Sequence, residues 1–360
     1  MTMTQELHDL GQSLWLDNIT REMLDNGTLR RYVNELSITG LTSNPTIFDE
    51  AIGSSSLYDR SIQQKARCAL SGEALFVELA LDDLRRAADI FRPVFDRTDG
   101  IDGWVSMEVS PLLADDTQAT VEAARGIHRL ANRPNLYVKI PGTPAGVPAI
   151  EATVYAGVPV NVTLLFSREQ YLAAAEAYMR AIERRIAAGL DPRVGSVASL
   201  FVSRWDKAVA DRVPRELRNR LGIAIAMRTY RAHCELLAGT RWRALAAAGA
   251  VKQRLLWAST GSKDPQAPPD MYISALAAPD TIDTMPEKTL LSFAAQGQIN
   301  SVMPPDGGDA ETVLQRFAGA GIDVDALASR LQTEGAASFV RSWTELMQSI
   351  ADKSATVAAS

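Results

Sequence analysis

Lys139 stands inside an otherwise strand-forming apolar run, Leu136-Tyr137-Val138-Lys139-Ile140-Pro141-Gly142. Burying an ammonium is costly unless it loses its proton or meets a partner, and the neutral amine is the form that attacks a carbonyl carbon. The same position also suits a lysine that sends its ammonium to solvent or rests it on a carboxylate. Glu108, in Ser106-Met107-Glu108-Val109, has a similar setting one strand earlier. Apolar surroundings would fit it to shuttle protons, or it is the ion-pair partner that keeps Lys139 charged. Asp17 interrupts Leu14-Trp15-Leu16 and is either a second acid/base or the N-cap of a helix starting near Thr20.

Smaller polar groups fall at comparable places. Asn161 and Thr163 are two apart in Val160-Asn161-Val162-Thr163-Leu164, so an extended chain turns both the same way, toward a bound hydroxyl or water or into a satisfied core pair. Asn44 precedes Pro45 and by itself reads as a turn residue. Ser199 and Phe201 share a face, and Arg204 follows at the start of a helix. Arg204, Ser259, Ser262 and Lys263 are either a local anion site, suited to phosphate, or solvated surface groups. His8, His128 and His233 are too scattered for a metal site, as are Cys68 and Cys234. Gly319-Ala320-Gly321 follows a helix rather than a strand and lacks a third glycine, and no Gly-x-Ser-x-Gly elbow occurs. Neither a metal nor a cofactor is called for.

These residues need elements to position them. Short β-rich runs alternate with longer helical ones, the order of an α/β protein with a parallel sheet. Strands are predicted at Ser13–Asn18, Ser37–Ser43, Gly103–Val109, Leu136–Pro141, Val158–Phe166, Val194–Val202, Arg254–Thr260 and Thr281–Met285. In a parallel barrel the working face lies at the C-terminal strand ends, and there the polar residues named above fall. Ser167 and Gln170 predict a capping box ahead of Leu172, Ala175, Met179, Ile182 and Ile186 at helical spacing. The stretch from Ile47 to Gly100 predicts two or three helices broken near Ser71-Gly72, and Asp206 to Ala250 is similarly overlong. After a helix at Glu287–Gln296, a turn-rich stretch precedes Asp309–Phe317, Asp323–Gln332 and Ala336–Asp352, a closing helical layer over roughly 305–353 with a small-residue tail at 354–360. With no repeat or linker, residues 1–360 are expected to form one domain.

Composition narrows the class. Apolar residues make up 46% and charged residues 22%, enough to bury a large core. The net charge of −6, without basic blocks, argues against nucleic acid and anionic membranes as partners. Met1 to Leu10 holds no signal-like apolar run and no later segment reaches the length of a membrane span, so a cytoplasmic location is expected. Nothing in the helical faces singles out a subunit contact.

Taken together, the segments resemble the transaldolase family, in particular its longer-chain bacterial branch. The resemblance rests on Leu16-Asp17-Asn18, Gly40-Leu41-Thr42-Ser43-Asn44-Pro45-Thr46-Ile47-Phe48, Glu108-Val109-Ser110-Pro111 and Val138-Lys139-Ile140-Pro141-Gly142-Thr143. It continues through Asn161-Val162-Thr163-Leu164-Leu165-Phe166, Ser199-Leu200-Phe201-Val202-Ser203-Arg204, Trp257-Ala258-Ser259-Thr260-Gly261 and Thr284-Met285-Pro286. It implies a (β/α)8 barrel with the Schiff-base lysine on the fourth strand, where Lys139 falls in the strand count, an acid/base at Asp17, and proton handling by Glu108 and Thr163 through a water. It further implies that Asn44, Asn161 and Ser199 hold the dihydroxyacetone hydroxyls and that Arg204 binds phosphate. The implied reaction belongs to the non-oxidative pentose phosphate pathway: a dihydroxyacetone unit moves from sedoheptulose 7-phosphate to glyceraldehyde 3-phosphate. Aldolases of the superfamily carry glutamine and tyrosine where this chain has Glu108 and Phe201. Shorter-chain relatives have a second phosphate-binding arginine where this chain reads Gly261-Ser262-Lys263, so Lys263 is the candidate replacement.

Overall fold

Strands rich in apolar residues on both faces are stable only when helices cover the outside and side chains fill the inside. The computed structural model, which describes residues 2–299 and 301–358, resolves this requirement as a closed barrel. Among the described residues its strands are β1 (Ser13–Asp17), β2 (Ile38–Thr42), β3 (Trp104–Glu108), β4 (Leu136–Pro141), β5 (Val160–Leu165), β6 (Ser196–Phe201), β7 (Arg254–Ala258) and β8 (Ile282–Met285). They pair in parallel and in sequence order, and β8 closes on β1. All eight predicted strands are present; β4 keeps its predicted bounds and the others are trimmed by one or two residues at an end, where loop geometry takes over.

At the lower end of the barrel aromatic side chains fill the interior. Trp104 stacks on Tyr137 with ring centroids 3.9 Å apart, and Trp15 lies 6.1 Å from Tyr137. Gly40 in β2 makes room for this layer, since a Cβ there would fall 2.6 Å from Trp15 Nε1 and 2.7 Å from the Trp104 carbonyl. Arg254 completes the end: it donates to Asp102 at 3.1 Å, to Ser13 at 2.7 Å and to the Thr281 carbonyl at 2.8 Å.

The helices follow the periodicity. The capping box of Ser167 and Gln170 opens helix Arg168–Ala187, which buries Ala175, Met179 and Ile182. The long stretch after β2 folds as helices Pro45–Ser54, Asp59–Ala66 and Gly72–Arg97, with the break at Ser71. The one before β7 contains Ser203–Val209, Leu221–Ala238 and Thr240–Ala247. Glu287–Gln296 is helical as expected.

The C-terminal part corrects the sequence reading. Instead of two helices with a break between Gln332 and Ala336, one helix runs from Val324 to Ala358, through most of the expected tail. Residues 359 and 360 of that tail lie outside the described residues, as does Met1 of the segment read for a leader. A lone glycine costs a helix only about 1 kcal/mol, too little to break one held by tertiary contacts. Gly335 serves close approach instead, because a Cβ there would lie 3.0 Å from Leu164 Cδ2 and 3.3 Å from Arg204 Nη1. This helix crosses the upper end of the barrel and is pinned to the chain after β2. Thr46 donates to Ser342 at 2.9 Å, Ser349 to Asp49 at 2.7 Å, and Lys353 pairs with Asp59 at 3.1 Å. Among the described residues no helix is long and apolar enough to cross a membrane.

Candidate active site

Strand register decides which polar residues meet. Glu108 lies beside Lys139 and Lys139 beside Asn161 on three successive strands, while Asp17 lies beside Thr42. Alternation along each strand turns Glu108 and Lys139 into the barrel at its C-terminal end. Lys139 does not reach solvent: it is only 6% exposed, its Nζ donates to the Ser43 carbonyl at 2.9 Å, and it forms an ion pair with Glu108 Oε1. Of the two plain roles open to this lysine, pairing with a carboxylate therefore holds and snorkelling does not.

Both nearby carboxylates are displaced toward their neutral forms. Burial pushes Glu108 up, against the pull of the Lys139 ammonium, and the charge of Asp17 adds to the rise. Burial also pushes Asp17 up, while Lys139 and the Thr42 hydroxyl, which donates to Asp17 Oδ1 at 2.8 Å, hold it down. Asp17 is not a helix cap; Thr20 takes that role by accepting from the Met23 amide. The site thus brings one lysine together with two buried carboxylates that hold protons more tightly than usual.

A cavity of about 430 Å³ opens above this group, lined by Asp17, Lys139 and Thr163 below and by Asn44, Phe201, Arg204, Ser259 and Lys263 around its rim. Asn44 is both turn residue and lining: its Oδ1 caps helix Pro45–Ser54 through the Ile47 amide at 3.0 Å, which leaves its NH2 group for the cavity. Ser199 lines the floor and donates to Asn161 Oδ1 at 2.7 Å. Asn161 in turn donates to Ser106 at 3.2 Å and is fully buried, so it lies beneath the cavity and acts on it through Ser199. Thr163 is different again, since its buried hydroxyl has no hydrogen-bond partner.

The cationic rim carries the second chemical feature. The Arg204 guanidinium sits 5.0 Å from the centre of the Phe201 ring and, among the described residues, forms no salt bridge. Among the described residues Lys263 likewise forms no salt bridge, although the charge of Asp17 reaches it across the cavity. Partial loss of water, then the charges of Arg204 and Lys207, press its ammonium toward the neutral form. Two cations outside any salt bridge, in a chain of net charge −6, suit an anion. Ser259 adds a hydroxyl 3.0 Å from that of Ser203 and has a left-handed backbone, φ 58°. That conformation is rare for serine and common where a loop is shaped for function.

Sequence reasoning missed several members. Ser43 contributes through its carbonyl, which no side-chain pattern reveals. Thr42 and Thr284, 2.7 Å apart, belong to the floor, and Ser106 supports it from below. The alternation signal that selected Asn161 and Thr163 would have found Ser106, two residues before Glu108, and Thr42, two before Asn44. Ser338 and Phe339 close the cavity from the C-terminal helix.

Fold and constellation together define a (β/α)8-barrel enzyme with a buried lysine at its centre. A family model described as Transaldolase/Fructose-6-phosphate aldolase matches residues 14–350. A transaldolase of Frankia alni is 43% identical over 358 residues, 97% of this chain and 96% of its own. Transaldolases of Thermobifida fusca and Thiobacillus denitrificans are each 41% identical, across 97% of this chain and 97% and 100% of theirs. The chain belongs to the Transaldolase/Fructose-6-phosphate aldolase family.

Proposed function

We propose that this chain is a transaldolase that takes a three-carbon dihydroxyacetone unit from sedoheptulose 7-phosphate and gives it to glyceraldehyde 3-phosphate. The products are erythrose 4-phosphate and fructose 6-phosphate. The observation that carries the reading is the buried Lys139–Glu108 pair facing Asp17 below a rim of unpaired cations. Cytoplasmic carbohydrate metabolism, in the pentose phosphate pathway, is the setting that goes with it.

Lys139 passes a proton to Glu108, whose raised affinity for protons makes it a fitting recipient, and the free amine attacks the ketose carbonyl. Glu108, acting with Thr163 through a water, protonates the departing hydroxyl as the carbinolamine becomes an iminium. Asp17 takes the proton of the C4 hydroxyl. The C3–C4 bond breaks, its electron pair flows to the iminium nitrogen, and the aldose phosphate leaves. The enamine then attacks the acceptor aldehyde, Asp17 returns a proton to the new hydroxyl, and water releases the ketose product. Asn44 and Ser199, with Asn161 behind Ser199, hold the hydroxyls of the three-carbon unit. Arg204 holds the phosphate against the Phe201 side of the rim, and Ser259 and Lys263 assist.

The family's name covers an aldolase as well as a transferase, and product analysis separates them. With both substrates present, erythrose 4-phosphate and fructose 6-phosphate should form together. With fructose 6-phosphate alone, release of free dihydroxyacetone should be slow by comparison; equal rates would make the protein an aldolase.

A further inference from the structure

The C-terminal helix Val324–Ala358 does more than cover the barrel. Gln332, buried, donates from one amide nitrogen to two carbonyls remote in the chain, Gly142 and Leu164, each at 3.0 Å. Gly142 follows the end of β4, the strand of Lys139; Leu164 follows Thr163 in β5. Leu164 has φ 59°, and the register of β5 against β6 shifts between Val162 and Leu165. A left-handed leucine persists only where neighbouring structure holds it, and Gln332 grips its carbonyl. One turn further along the helix, Ala336 and Phe339 roof a chamber of about 20 Å³ whose other walls include Glu108, Lys139 and Thr163. Glu108, Lys139 and the unpartnered Thr163 hydroxyl thus lie directly under the part of the helix that Gln332 seats.

We propose that Gln332 is a positioning residue for the Glu108–Thr163 side of the site: by clamping the ends of β4 and β5 it fixes Thr163 and seats Ala336 and Phe339 over the small chamber beside Glu108, Lys139 and Thr163. This rests on the transaldolase reading above. Gln332 touches no substrate, and Arg204 and Lys263, which would grip phosphate, line the other cavity. Its loss should therefore lower kcat and leave KM largely alone.

The test uses the full-length enzyme with two variants, Gln332→Met, which keeps bulk and removes both donors, and Ala336→Val, which adds bulk to the roof of the chamber. Each should lose about ten-fold or more in kcat at nearly unchanged KM, the size expected when one positioned proton carrier is disturbed. Each should also shift the ratio of free dihydroxyacetone to transferred product, a ratio that a general loss of stability does not move. Wild-type kcat and product ratio in folded Gln332→Met, or in Ala336→Val should Gln332→Met not fold, would overturn the proposal. So would a raised KM at unchanged kcat. Borohydride trapping of the wild type runs alongside: an adduct there keeps the Schiff-base reading intact whatever the variants do, and no adduct removes that reading itself.

Discussion

Two buried cations sit in one barrel, Arg254 at the lower end and Lys139 at the upper, and each is 6% exposed. Arg254 is saturated: its guanidinium donates to Asp102, to Ser13 and to the carbonyls of Ile101, Asp280 and Thr281. Among the described residues Lys139 has only Glu108 and the Ser43 carbonyl, and it faces a cavity. A guanidinium keeps its proton in a protein, whereas an ammonium can give one up. The lower end therefore spends a buried charge on holding the barrel shut, and the upper end holds one that can change state. Equal burial does not mean equal purpose; what differs is how completely the surroundings satisfy the charge.

Exchanging each cation for methionine should break this contrast most sharply. Arg254→Met strands Asp102 in the interior and should cost about 3–5 kcal/mol in denaturant unfolding, with kcat of the folded fraction near wild type. Lys139→Met should abolish transfer yet cost no more than about 1–2 kcal/mol, because the Glu108 left behind, already pushed up by burial, simply takes a proton. A large stability loss in the lysine variant with the arginine variant unharmed would reverse the assignment.

Asp17→Asn should be next, lowering kcat by about 10²–10⁴-fold while leaving adduct formation at Lys139 intact. Its pH dependence has a definite sign. Asp17 must be ionised to accept a proton, and burial raises its folded pKa, so activity should fall as pH drops through a value above the ordinary aspartate range of about 3.9. An acid limb of the kcat/KM profile at or below that range would contradict the role. The smallest effect concerns the rim: Arg204→Ala should lower kcat/KM by about 10–100-fold, the worth of a charge-assisted hydrogen bond to phosphate, mostly through KM. Arg204→Lys should recover only part, as an ammonium lacks the planar fork.

The barrel was legible because a parallel strand covered on both faces writes itself as an apolar run, and a charge in such a run is conspicuous. Lys139, Glu108 and Asp17 were visible for that reason. The depth of Asn161 was not, since two residues on one face of a strand read alike whether they line a cavity or lie one layer below it. The continuity of helix Val324–Ala358 was hidden by Gly335, a glycine that marks close approach rather than a break. Gln332 was out of reach altogether: its partners Gly142 and Leu164 are remote in sequence, and nothing beside it in the chain sets it apart from a surface glutamine.

The central claim is that Lys139 carries the three-carbon unit covalently. Incubation with fructose 6-phosphate and borohydride, followed by intact-mass and peptide analysis, tests it directly. A dihydroxyacetone-sized adduct on Lys139, absent from Lys139→Met, is the expected result; a folded wild-type protein that traps nothing, or traps the unit on another lysine, would contradict it.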